Sequence, residues 1–171
     1  VGWVRLLSHP DGAIADHAEA LLDDVAAAVS AFGPDLLLTF DPSGITGHPD
    51  HVAATRAAVA VGRDQGIPVI AWGLPEAVVR GLADEGLTGF RSLPDDVRTL
   101  TVAVDRTAQR RAIDEHPSQA VPSSPLWRRL ELLGDVEHLR WLHSTLAAPV
   151  PFRVLAVSGL QRRPASTAAV T

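Results

Sequence analysis

Two of the chain's seven histidines fall in one four-residue window, His48-Pro49-Asp50-His51, and there is no cysteine. Any metal site must therefore be built from His, Asp and Glu, and disulfides, zinc knuckles and thiolate nucleophiles are excluded. A neutral imidazole at His51 can ligate zinc, and a neighbouring carboxylate such as Asp50 can fix a tautomer or raise a histidine's basicity. Spacing alone does not separate this chemistry from a helix N-terminus with polar caps. Pro49 and Asp50 suit a first helical turn on either reading, through the fixed φ of proline and the positive end of the helix dipole.

The elements that must position this window are legible around it. The run Asp35-Leu36-Leu37-Leu38-Thr39-Phe40 is short, apolar and bounded by breakers, which predicts a strand buried on both faces. Asp41 to Gly47 is polar and glycine-rich and predicts a loop, and a helix then runs from the His48 window to about Arg63, closed by Gly66. Ile67 to Trp72 reads as a second buried strand, so the unit is strand, helix, strand, with parallel pairing and a right-handed crossover. Loops at the carboxyl ends of such strands are where α/β sheets bind ligands, and a helix start adds amide donors there.

Upstream, Ala18, Leu21, Leu22, Val25, Ala28, Val29 and Phe32 form the stripe of an amphipathic helix over Ala15 to Phe32, with Asp16 as its cap and Gly33-Pro34 as its stop. Downstream, the pattern predicts a helix over Pro75 to Glu85, a strand over Leu100 to Val104 and a helix over Arg106 to Glu115 capped by Asp105. A long amphipathic helix over Pro125 to Leu142, carrying Trp127 and Trp141, completes the pattern. The alternation defines an α/β, Rossmann-like layered fold with a mainly parallel sheet flanked by helices. Residues 1–143 form this domain, and 144–171 a C-terminal extension with one strand over Phe152 to Val157 followed by a flexible tail.

At 171 residues, 46% of them hydrophobic and 20% charged, the chain is one globular domain with enough material for a core. The net charge of -5 and the scattered arginines give no basic stripe, which argues against nucleic acid, and no apolar run is long enough to span a bilayer. There is no Gly-x-Ser-x-Gly elbow and no phosphate-loop GK[ST], so serine-hydrolase and P-loop chemistry fall. The absence of Lys, Met, Asn and Tyr reads as codon pressure in a GC-rich bacterium, and a cytoplasmic location is the expectation. The opening Val1-Gly2-Trp3-Val4 lacks a methionine and starts in mid-element, so the expectation is an N-terminally truncated domain. Oligomeric state is left open.

The whole run from Leu36 through Thr39-Phe40-Asp41-Pro42-Ser43-Gly44-Ile45-Thr46-Gly47 to His51 closely resembles the second signature of the PIG-L/LmbE-type zinc-dependent N-deacetylases. The flanking order resembles the family too, with a PDG-like turn at Pro10-Asp11-Gly12 and an H-x-S-Q-like stretch at His116-Pro117-Ser118-Gln119; the likeness covers roughly Leu6 to Leu142. The resemblance implies a Rossmann-like fold that removes an N-acyl group, usually acetyl, from an N-acetylglucosaminyl conjugate by zinc-activated water. Carried over by position, His51 is the zinc ligand, His48 stabilises the oxyanion or protonates the leaving amine, and Asp50 tunes His48. Asp41 and His116 are carried over as substrate-side residues, with loop ordering the plainer role for Asp41 and a helix-end contact for His116.

The family's first signature, an A-H-P-D-D-E-like motif that supplies further ligands and a general base, has no full match. Ser8-His9-Pro10-Asp11-Gly12 lacks the second acidic pair and lies only one helix upstream, so His9 is placed in the PDG-like turn. The departure leaves two readings: most of a zinc-dependent deacetylase, or a noncatalytic sugar-binding or regulatory relative that lost the first metal motif. The remaining histidines take plainer roles, His17 solvated on the first helix and His138 and His143 along the last; the acidic pairs are solvated or capping and the tryptophans core.

Overall fold

The structure is a computed structural model that describes residues 5–95, 98–118 and 120–144. A 3-10 turn over Ile14–His17 leads into α1 (Ala18–Phe32), which ends on Gly33 in the left-handed conformation. Asp16 lies inside the 3-10 turn and forms no side-chain cap. The buried stripe of α1, Leu21 and Val29, meets the next long helix, where Leu21 packs with Ala53 and Ala57 and, around them, Ile14 and Val25.

The strand-loop-helix-strand unit forms as the sequence requires. β1 (Leu37–Phe40) is followed by a helical turn α2 (Gly44–Gly47), then α3 (Pro49–Gln65), closed by left-handed Gly66, and β2 (Val69–Gly73). β1 and β2 pair in parallel, with Leu37 opposite Val69 and Phe40 opposite Trp72. β2 is the buried strand, its Val69, Ile70 and Ala71 all inside the core. β1 departs from the expectation of burial on both faces: it is an edge strand among the described residues, and Leu38 is 66% exposed.

After β2 come α4 (Glu76–Asp84), β3 (Thr99–Ala103), α5 (Arg106–Asp114) capped by Asp105, α6 (Pro125–Leu133) and β4 (Val136–His143). The long final helix of the sequence reading is corrected here. α6 stops at Gly134, whose φ of 58° and ψ of -143° suit only glycine, and the rest of the segment is a strand carrying His138, Trp141 and His143. Leu130, Leu133, Val136 and Leu139 recur at the helical spacing of three, and from Val136 onward the long-range pairing with β2 and β3 overrides that period. β4 runs antiparallel to both β2 and β3, bonding both along its length. The sheet order is β1-β2-β4-β3, and one of its three pairings is parallel. The sheet is therefore mixed, a correction to the mainly parallel expectation, while the α/β layering stands.

A second cluster packs Ile45, Leu74, Val78, Leu82 and Leu133, drawing α2, α4 and α6 onto the end of β2, with Phe40 and Trp72 beside it. The expected strand over 152–157 lies outside the described residues. No helix among the described residues is long and apolar enough to cross a membrane.

One close approach locks α3 onto β2. A β-carbon at Gly62 would lie 2.3 Å from Val69 Cγ2 and 2.9 Å from the Ile67 carbonyl oxygen. Ala is the better helix former by about 1 kcal/mol, yet the overpacking cost of about 1–3 kcal/mol exceeds that gain, because a backbone carbonyl has little room to yield. Gly62→Ala should lower the urea midpoint of unfolding without changing its slope; an unchanged or raised midpoint would show that the α3–β2 contact can relax.

Candidate active site

The candidate site starts where β1 ends. Asp41 continues the ladder, its N–H donating to the Trp72 carbonyl at 2.7 Å, and its side chain is buried at 2% exposure. Its Oδ1 accepts from the Ser43 N–H at 2.9 Å, its backbone oxygen accepts from the Gly44 N–H at 2.8 Å, and Oδ2 accepts from Arg140 Nε at 2.6 Å. Asp41 thus orders the loop. Arg140, on β4, was not singled out by the sequence, since 99 positions separate the partners.

The loop then holds a non-glycine residue at positive φ, Ile45, at φ 66° and ψ -52°. Such a conformation costs a branched residue about 1–3 kcal/mol and persists only where its surroundings over-determine it. They do here: the side chain is buried among Leu74, Val78, Leu82 and Leu133, and the Ile45 carbonyl accepts from the Arg91 N–H at 2.7 Å. The strain fixes the path of Gly47-His48 into α3.

His48 is the N-cap of α3, its Nδ1 accepting from the Asp50 N–H at 3.2 Å. In the neutral ring the proton therefore sits on Nε2, which points outward as a donor. His51 has the opposite arrangement. Its Nδ1 lies 3.0 Å from the Gly44 carbonyl, which can only accept, so Nδ1 carries the proton and Nε2 offers a lone pair. The two rings lie 4.9 Å apart, and His51 stacks on Phe40 at 4.1 Å. Phe40 in turn meets the edge of Trp72, whose Nε1 donates to Glu137. The result is one donor and one ligand-type acceptor side by side.

Asp50 is buried at 6% exposure, and both carboxylate oxygens are engaged by backbone: Oδ2 accepts from Gly12 N–H at 2.7 Å and Oδ1 from Ile14 N–H at 3.1 Å. Its carboxylate ties the Pro10-Asp11-Gly12 turn to α3, while its link to His48 runs through its own N–H. His116 is exposed at the end of α5, its Nδ1 on the Ala112 carbonyl at 2.8 Å, and lines a separate depression with Ile113 and Leu126. His9 pairs with Asp24 at 3.0 Å. His138 lies on β4 opposite Gly73, and burial holds its pKa below the ordinary histidine value while Glu137 pulls it up. Among the described residues, no three His, Asp or Glu side chains come together to hold a metal ion. His51 fits one ligand position, and the described residues supply no complete set.

The fold and loop define a class: an α/β domain with a mixed sheet and a paired-imidazole loop at the end of a strand that pairs in parallel. The sequence profile of the family described as PIG-L, GlcNAc-PI de-N-acetylase, matches residues 2–61. The chain is 39% identical over 105 residues to a 1D-myo-inositol 2-acetamido-2-deoxy-alpha-D-glucopyranoside deacetylase of Saccharomonospora viridis, covering 57% of this chain and 37% of that protein. The protein of the same description from Nakamurella multipartita is 31% identical over 149 residues, covering 78% and 48%. The crystal structure of a deacetylase-bog complex from the teicoplanin biosynthesis pathway superposes with a TM-score of 0.54 at 25% identity, over 80% of this chain and 56% of that one. The match to the PIG-L family profile is confined to residues 2–61, and the structural likeness to the teicoplanin-pathway deacetylase extends over 80% of the chain. It spans about half, or less, of the length of these relatives.

Because the Asp41 carboxylate is buried, removing its counterion leaves an unpaired charge inside, at a cost of about 3–5 kcal/mol. Arg140→Met should destabilise the chain on that scale in urea unfolding, and Asp41→Asn combined with Arg140→Met should cost clearly less than the sum of the single changes. Strict additivity would show that the two side chains act independently.

Proposed function

We propose that this chain forms the imidazole half of a hydrolytic site that removes an N-acetyl group from an amino-sugar conjugate. The carrying observation is the opposed placement of two ring protons on one fixed loop, Nε2–H on His48 and a free Nε2 lone pair on His51. The relatives' deacetylase descriptions supply the reaction class and an acylated amino sugar the substrate class. In the reaction water adds to the acyl carbon, the C–N bond breaks, and acetate and the free amine leave. Charge develops on the carbonyl oxygen as water adds, and the Nε2–H of His48 is the donor available to it without any further protonation of the ring. His51 would hold one coordination position of zinc, its Nδ1–H anchored on Gly44 in the manner of a metal-bound imidazole. Zinc, when bound, supplies Lewis-acid polarisation of the acyl carbonyl. Phe40 walls one face of His51 and fixes the ring plane.

The lack of a three-donor group among the described residues favours a second reading, a sugar-binding relative without metal. Two measurements separate them. Calorimetric titration of the metal-free chain with zinc should show binding that His51→Ala removes, whereas the second reading requires none in either protein. Acetate release from N-acetylglucosaminyl conjugates should fall roughly 100- to 10,000-fold in kcat for His48→Ala, with KM little changed. Full activity in both variants would remove the paired imidazoles from the mechanism.

A further inference from the structure

We propose that Arg91 is a specificity-determining residue that recognises an oxyanion, phosphate or carboxylate, carried by the amino-sugar conjugate. The inference rests on the deacetylase reading above and goes beyond it by naming a substrate feature. Arg91 precedes a short segment stapled at both ends. Its own N–H donates to Ile45 O at 2.7 Å, and two residues on, the Leu93 N–H donates to Leu74 O at 2.7 Å, with Leu93 buried. The backbone that carries Arg91 is therefore fixed to the same strained loop that aims His48.

The side chain returns to that loop. A β-carbon built on Gly47 would lie 2.7 Å from Nη2, 2.9 Å from Cζ and 3.3 Å from Nε of Arg91, so the guanidinium rests against the backbone of the residue preceding His48. Gly47, at φ 76°, has no side chain to prevent it. The residue as a whole is exposed, so the guanidinium rests on the loop beside the residue that precedes His48 without being buried there.

The charge balance of the loop points the same way. Asp41 is neutralised by Arg140, and the carboxylate of Asp50 is taken by the amides of Gly12 and Ile14. Neither acid of the loop pairs with Arg91, and among the described residues no carboxylate does. Arg5, Arg80, Arg106, Arg128 and Arg140 each hold an acidic partner; Arg91 shares the lack of one with other arginines, and its guanidinium's contact with the loop residue before His48 sets it apart. A guanidinium docked against Gly47, next in sequence to His48, in a chain of net charge -5, is a positive fork without a carboxylate partner among the described residues. Its planar, multidentate geometry suits a phosphate or carboxylate and not a neutral sugar ring.

The test is binding, so that it does not depend on turnover. The chain is titrated with methyl N-acetylglucosaminide, N-acetylglucosamine 1-phosphate and N-acetylmuramic acid, which carry no charge, a phosphate and a carboxylate respectively. At least one anionic probe should bind about tenfold or more tightly than the neutral one, the scale of one charge-assisted hydrogen bond. Which of the two does so identifies the oxyanion. Arg91→Gln should erase that preference while leaving the neutral sugar's Kd unchanged, and Arg91→Lys should restore part of it. The exposed position and the side-chain-independent bond to Ile45 keep the fold intact in both variants. A neutral sugar bound as tightly as the anionic ones, or a preference that survives Arg91→Gln, overturns the role of Arg91 and leaves the deacetylase reading standing. Failure of all three probes to bind overturns both.

Discussion

The local structure at the site depends on neutralising one buried carboxylate. Asp41 leaves the end of β1 with almost no solvent contact, a position that would be prohibitive for an isolated charge. Arg140 meets it, and can do so because β4 is antiparallel and sits directly beside β2, which puts Arg140 opposite Ala71. The direction of β4 thus serves the site as well as the sheet. Gly73 completes the arrangement: a β-carbon there would lie 3.2 Å from Asp41 Cβ and 2.4 Å from Leu93 Cδ2. The loop of Asp41, the end of β2 and the 91–93 segment all converge on a space that only a bare backbone leaves open.

The parts of this fold visible in the sequence are those written in local signals. The β1-loop-α3-β2 unit follows from breakers, an N-terminal proline and continuous apolar runs, and Asp105 caps α5 as its position before the helix suggests. The parts not visible are set by distant partners. Val136 to His143 continues a helical spacing of apolar residues and shows no clean alternation, and it becomes a strand because β2 and β3 each present an edge for it to satisfy. Leu38 reads as a core residue in a run of leucines, yet among the described residues β1 lies at the sheet edge and Leu38 is exposed, an arrangement that no local pattern encodes.

The same division applies to the site. His48 and His51 are adjacent on one helix turn, so their proximity is local and legible. The amides that occupy Asp50 come from 36 and 38 residues away, and the guanidinium on Asp41 from farther still. What the four-residue window cannot show is which of its acids faces a histidine ring and which secures the scaffold. Only one signal pointed toward Asp50's role, the Asp11-Gly12 turn, whose free amides at a tight bend need an acceptor.

A helix cap and the proposed reactive pair are compatible roles for the His48 window, because the cap sets which ring nitrogen of His48 carries the proton. Serine, threonine or aspartate would cap α3 as well as histidine does, through one acceptor atom near the Asp50 N–H. Histidine, having spent Nδ1 on the cap, keeps a ring nitrogen beyond it, and the spent atom dictates that this nitrogen carries the proton in the neutral ring. The Gly44 carbonyl does the converse for His51, leaving a lone pair where its neighbour shows a hydrogen. Two backbone groups, one amide and one carbonyl, therefore assign donor and acceptor to otherwise identical rings. That assignment depends in turn on the path of residues 44–50, which is held by the strained Ile45 and the buried Asp41. Capping explains a polar residue at position 48; it does not explain a residue whose reach extends past the cap.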